Sequence, residues 1–148
     1  MSSPPIEATT RARSLPAAAR QHTNAGAEAF VHYYNDQLSK AWMTPQAGLL
    51  APLSLPSCKS CRTWEQTAAS LVANKEHSDR PVIVVKEVVY DSIEDAALVV
   101  LASGTQSGAS LLNSRGEVVS TGTPKPVTFA YYVIWTSGEW KVQEVKIG

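Results

Sequence analysis

The spacing of apolar residues changes once along this chain, at Pro81. Before it, apolar side chains recur three or four residues apart. Ala27, Phe30, Val31, Tyr34, Leu38 and Ala41 fall on one face of a helix, and Glu28, His32, Asp36 and Lys40 fall on the other. Thr23 stands where an N-cap belongs, so the pattern predicts a helix over residues 24–43. Cys61, Trp64, Ala68, Leu71 and Val72 make a second stripe. With Ser57 as its cap, that stripe predicts a helix over residues 58–74, with Glu65 and Lys75 in solvent. Pro16 suits the first turn of a short helix over PAAARQ. Thr44-Pro45 predicts one more cap and first turn holding Leu49 and Leu50, broken by Pro52 and Pro56.

Beyond Pro81 the side chains turn β-branched and the segments shorten. VIVVKEVVY at 82–90 and ALVVLAS at 97–103 read as strands. Residues 109–112 and 117–120 flank the turn sequence Asn113-Ser114-Arg115-Gly116, which predicts a hairpin. Residues 127–135 and 139–147 are joined by Ser137-Gly138, a two-residue hairpin turn. Helices first and antiparallel strands after is the order of an α+β domain, with N-terminal helices packed on a curved antiparallel sheet. Several strands are apolar on both alternating faces. One face takes the helices; the other needs cover, which predicts a homodimer through the sheet or another protein docked there.

Composition narrows the picture. The chain has 148 residues, the length of one domain, with 44% hydrophobic and 18% charged residues. The domain is expected over residues 16–148, behind a flexible Ser/Pro-rich tether over residues 1–15. Thirteen basic residues balance thirteen acidic ones. A neutral chain is a poor partner for nucleic acid and is inclined to self-associate. No stretch has the length of a membrane-spanning helix, and residues 1–14 lack the apolar segment of a signal peptide. Read literally, that predicts a cytosolic protein.

Certain segments point elsewhere. The run LPAAARQHTNAGAEAFVHYYND, then SLPSCKSC, then LLNSRGEVV and a Tyr- and Trp-rich terminal hairpin, resembles an uncharacterised family of actinobacterial lipoproteins, a domain of unknown function. Helices against a curved sheet of long C-terminal strands also look like the nuclear-transport-factor-2-like, or cystatin-like, cone fold. The resemblance implies an exported protein, held on the outer face of the cytoplasmic membrane by a lipidated cysteine behind a Ser/Pro-rich tether. In this chain Met1 stands where that cysteine would be. The resemblance implies no known activity.

Cys58 and Cys61 are the only cysteines, and three readings compete. Zinc needs four ligands, and His22, His32 and His77 are scattered along the chain. A redox pair draws support from the predicted helix start, where the dipole favours a thiolate. A structural disulfide fits the exported location that the resemblance implies. His32 and Asp36, four apart, could form an acid–base pair, but they lie opposite Phe30 and Tyr34 on the predicted solvent face. Lys86, Glu87, Glu144 and Lys146 interrupt apolar strands, either as ion pairs on the outer face or, for Glu87 or Glu144, as a buried carboxylate.

The aromatic residues offer a pocket in place of chemistry. Tyr34, Trp42, Trp64, Tyr132 and Trp140 are the candidate lining for an apolar small molecule or lipid piece at the cone's mouth. The sequence therefore predicts a non-enzymatic extracytoplasmic binding or scaffold module, with no cofactor and no metal. The rivals are a small isomerase or hydratase using the cone, and a thiol–disulfide protein using Cys58 and Cys61.

Overall fold

The computed structural model describes residues 15–147. Helix α1 (Asn24–Met43) begins where the pattern placed it, because the Thr23 hydroxyl oxygen accepts the Gly26 N–H at 2.9 Å. Its apolar face is buried from Gly26 to Ala41. Helix α2 (Lys59–Asn74) is capped differently from expectation. Cys58 is the N-cap, its sulfur accepting the Cys61 N–H at 3.2 Å, while the Ser57 hydroxyl reaches across to the Gln143 carbonyl. The buried line of α2 is narrow, made of Cys61, Ala68 and Leu71. Val72, predicted inward, stands 47% exposed beside that line. Short 3-10 turns occupy Ala17–Arg20 and Ala51–Leu53; the helical turn expected from Thr44-Pro45 is instead a pair of loops.

Seven strands follow: β1 (His77–Ser78), β2 (Ile83–Glu94), β3 (Ala97–Gln106), β4 (Ser110–Leu112), β5 (Val118–Thr121), β6 (Lys125–Thr136) and β7 (Glu139–Ile147). They pair antiparallel as two sheets, β2-β3-β6-β7 and β1-β4-β5. The two sheets share one long hairpin. Gln106 faces Lys125, and four residues nearer the tip Ser110 faces Thr121, so the register passes unbroken from β3/β6 into β4/β5. Gly108 and Pro124 bend the hairpin between them; a side chain on Gly108, at φ +74°, would meet the Pro124 ring at 2.7 Å.

Two of the hairpins close on two residues. Ser137-Gly138 has φ of +53° and +79°, and Asp95-Ala96 has +47° and +67°, the mirror-image turns that suit strand twist. Only the first contains a glycine, so the pattern signalled it; the second gave no such sign.

The core lies between the helices and one face of the four-stranded sheet. Phe30, Val31, Tyr34 and Leu38 of α1 pack with Val100, Ala102, Phe129, Tyr131, Val133 and Val142. Leu15, predicted as the end of a tether, is 6% exposed and belongs to this core. The rest of the expected tether, residues 1–14, lies outside the described residues.

Candidate functional site

Between helices and sheet, where an enzyme of this build would place its chemistry, the space is filled. Trp64, Phe129, Tyr131 and Tyr34 form a ring of tilted and edge-to-face contacts with centroids 5.7–6.3 Å apart. The Tyr131 hydroxyl donates to Asn35 Oδ1 at 3.3 Å, and the Asn35 amide donates to the Val31 carbonyl at 2.9 Å. Burial pushes the Tyr131 phenol far above its ordinary value. Tyr34 is raised as well, first by burial and then by the neighbouring Tyr131 and Glu65, and its hydroxyl has no hydrogen-bond partner. Asn35 and Ser78 are the buried polar residues among those described.

The five predicted pocket residues do not share one pocket. Tyr34, Trp42 and Trp64 meet, Trp42 donating its indole N–H to the Trp64 carbonyl at 3.2 Å. Trp140 lies in a different group, where His22 stacks on Trp135 at 4.5 Å and both meet Trp140 edge-on. Ile93, Ala96, Leu98 and Ile134 complete an open cleft there of about 450 Å³. Tyr132 is on the far side of the sheet. Strand alternation separates them: Tyr131 points to the core, so Tyr132 points away from it.

That far side leaves part of its apolar surface exposed. Pairing lines up Val89 with Leu101, Ala130 and Lys146, and Ser92 with Val99, Tyr132 and Glu144. Val84 and Val89 are each 42% exposed. Lys146 Nζ sits 4.8 Å from the centre of the Tyr132 ring, and the Tyr132 hydroxyl donates to Glu94 at 3.4 Å. That contact, led by the Tyr132 hydrogen bond, raises the Lys146 pKa. Lys86, Glu87, Glu144 and Lys146 are all exposed, so neither carboxylate is buried. Among the described residues none of the four belongs to an ion pair within 4 Å.

The sheet's two edges are closed by side chains the sequence did not flag. The Glu28 carboxylate, expected in solvent, accepts the Tyr90 N–H of β2 at 2.7 Å, next to a register shift. Along β7, the Leu55 N–H donates to the Val142 carbonyl at 2.8 Å, and Ser57 and Ser60 donate to the carbonyls of Gln143 and Val145. The segment SLPSCKSC therefore seals an edge strand. The Cys58–Cys61 disulfide closes its C-terminal half, with both residues at most 1% exposed. A disulfide agrees with an extracellular location, and no helix among the described residues is long and apolar enough to cross a membrane.

His32 and Asp36 are exposed, at the rim of a recess of about 300 Å³ against β2, and no hydrogen bond joins them. Among the described residues no group of three His, Cys, Asp or Glu gathers as a metal site. A recess of about 340 Å³ lies against the disulfide, between the loop before α2 and the second turn of that helix. Nothing in the periodicity indicated it, because half its wall is loop.

Solved structures share this architecture. The intermembrane space region of the chloroplast protein ARC6 matches with a TM-score of 0.60 and 18% identity, over 86% of this chain and 97% of that one. A putative calcium/calmodulin dependent protein kinase II association domain from Xanthomonas campestris matches with a TM-score of 0.52 and 14% identity, over 90% of each chain. At these identities the likeness is one of fold. No curated protein matches the chain. Residues 14–146 match a family described as one of unknown function, DUF6318, and the chain belongs to that family.

Proposed function

We propose that this chain is a non-enzymatic scaffold module outside the cytoplasmic membrane, built on the nuclear-transport-factor-2-like cone, that works as a homodimer joined through the outer face of its four-stranded sheet. The observation that carries the reading is the contrast between the two faces. The inner face is packed solid with aromatic rings, whereas the outer face leaves Val84 and Val89 exposed and Leu101, Ala130 and Tyr132 half-buried, with Lys146 lying over the Tyr132 ring.

The face is large enough. Four strands at about 4.8 Å spacing and about 3.4 Å per residue cover on the order of 600 Å² of flat sheet. A standard interface takes about 800 Å² of the rougher accessible surface from each partner. A two-fold axis along the strands lays β2 of one copy over β7 of the next. Glu87 and Glu94 of one then approach the side carrying Lys146 of the other. One protein of like fold is described as a putative association domain, which is in keeping with self-assembly. The buried disulfide supports export, and the Ser/Pro-rich composition of residues 1–15 together with the resemblance to lipoproteins supports a lipid anchor.

Sedimentation equilibrium at tens of micromolar tests the assembly. The chain is expected to sediment as two copies, and Ala130→Arg as one copy with an unchanged far-ultraviolet spectrum. A monomer at that concentration, or a dimer indifferent to Ala130→Arg and Val89→Arg alike, overturns the proposal. Alkylation of cell lysates under non-reducing conditions tests the compartment; two reactive thiols would place the chain in a reducing one.

A further inference from the structure

The recess beside the disulfide joins an apolar floor to an arginine at its rim. Ala51, Leu55, Pro56 and Cys61 give it an apolar floor, and Ser54, Arg62, Glu65 and Gln66 ring it. Two of those four polar groups are already committed. The Ser54 hydroxyl donates to the Leu50 carbonyl. The Glu65 carboxylate accepts the Gly48 N–H on both oxygens and the Ala51 N–H on one, at 3.0–3.2 Å. The Arg62 guanidinium and the Gln66 amide have no hydrogen bond or ion pair among the described residues. What the recess offers a visitor is thus an apolar surface with a free planar cation and an amide at its rim.

We infer that this recess binds a small apolar carboxylate, of the class of medium-chain or arylalkyl acids. The apolar body lies on Ala51, Leu55 and Pro56, above the buried disulfide, and the carboxylate is held by Arg62. The charge selects the occupant: a guanidinium's fork of N–H groups matches a carboxylate's two oxygens. The volume, about 340 Å³, is at the small end of ligand sites, which excludes large lipids and suits a chain of six to ten carbons. Glu65 opposes the attraction only in part, because the Gly48 and Ala51 N–H groups of the loop are directed at its charge. The site is on a different face from the proposed dimer contact, so either can fail without the other.

Octanoate is the probe, titrated into the full chain and followed by amide chemical shifts. Saturable shifts confined to Leu55, Cys61, Arg62 and Glu65 are expected. Affinity should fall about tenfold in Arg62→Gln, and about tenfold when 1-octanol replaces octanoate, since one charge-assisted pair of roughly 1.4 kcal/mol is removed in each case. Octylamine should not bind. Shifts centred on the His22–Trp135–Trp140 cleft, equal binding of octanol and octanoate, or an Arg62→Gln protein that binds as tightly as the parent overturns the assignment. Gln66→Trp, which fills the recess from its rim, must abolish the same shifts while leaving the rest of the spectrum in place.

Discussion

Trp140 donates its indole N–H to the main-chain carbonyl of Gln21 at 2.8 Å, joining the last strand to the turn that precedes the first helix. The bond spans 119 positions in sequence. It is made where the chain is tightest. A Cβ on Gly26 would lie 2.0 Å from that same Gln21 oxygen, so the carbonyl reaches Trp140 only because residue 26 has no side chain.

Replacing Trp140 with Phe keeps much of the ring but leaves the Gln21 carbonyl without its donor. A part-buried acceptor stranded in this way costs about 1–3 kcal/mol, which urea denaturation will register. Gly26→Ala displaces the same carbonyl from the other side. The two changes act on one bond, so the double variant should lose clearly less than the sum of the singles. Simple additivity in that cycle would show that Gly26 and Trp140 act independently.

Ala96 carries a different kind of strain. It sits at φ +67° in the two-residue turn between β2 and β3, and it lines the aromatic cleft. A left-handed residue with a Cβ costs about 1–2 kcal/mol. Ala96→Gly is therefore expected to raise the melting temperature by several degrees, the response of a domain this size to about 1 kcal/mol. A lower melting temperature would mean that the methyl group's packing in the cleft outweighs the backbone term.

Periodicity made α1 and strands β2, β3, β6 and β7 legible, because each turns a repeating face toward the other half of the chain, while β4 and β5 were legible from the turn sequence between them. Thr23 was legible as a cap because its role is local. What periodicity hid was contact between distant backbones. Ser57 looked like a cap, but β7 offers it a carbonyl that a sequence cannot display. Glu28 looked solvated, but the β2 edge supplies an unpaired N–H. Strand β1 is two residues long, too short for any pattern, and exists because β4 pairs with it. The aromatic residues read as one pocket because composition gives no direction; alternation within β6 sends Tyr131 and Tyr132 to opposite sides. Arg62 left no trace, since a free cation on a helix resembles any solvated one.

The disulfide's energetic role follows from its short loop. Closing so few residues restrains the unfolded chain by about 2 kcal/mol in the loop-entropy treatment. Cys58→Ala with Cys61→Ala should lose about that much, and also the helix cap that the Cys58 sulfur provides. The diagnostic signal is local. The Leu55 amide, bonded to Val142 at the sheet edge, should exchange with solvent faster than amides in β3 and β6 after the change. Equal acceleration everywhere would assign the bond to global stability alone, with no special hold on the β7 edge.

Asp79 ties the small sheet together in a pH-dependent way. Its own N–H donates to the Ser110 carbonyl, and its carboxylate accepts the Ser110 N–H at 2.9 Å. That backbone bond first, and Arg80 after it, hold the carboxyl below its ordinary pKa. A group lowered in the folded state adds stability that is complete above the unfolded value, near pH 4, and is lost as the pH falls through the lower folded value. Neutral pH should therefore show a protected Ser110 amide, and acidification below about pH 4 should open it before the four-stranded sheet responds. Asp79→Asn keeps an oxygen acceptor but cannot titrate. In that variant Ser110 exchange, corrected for its intrinsic pH dependence, should be flat across the same range. If the Asn variant opens in acid just as the parent does, the β1–β4 junction is governed by another group and not by this carboxylate.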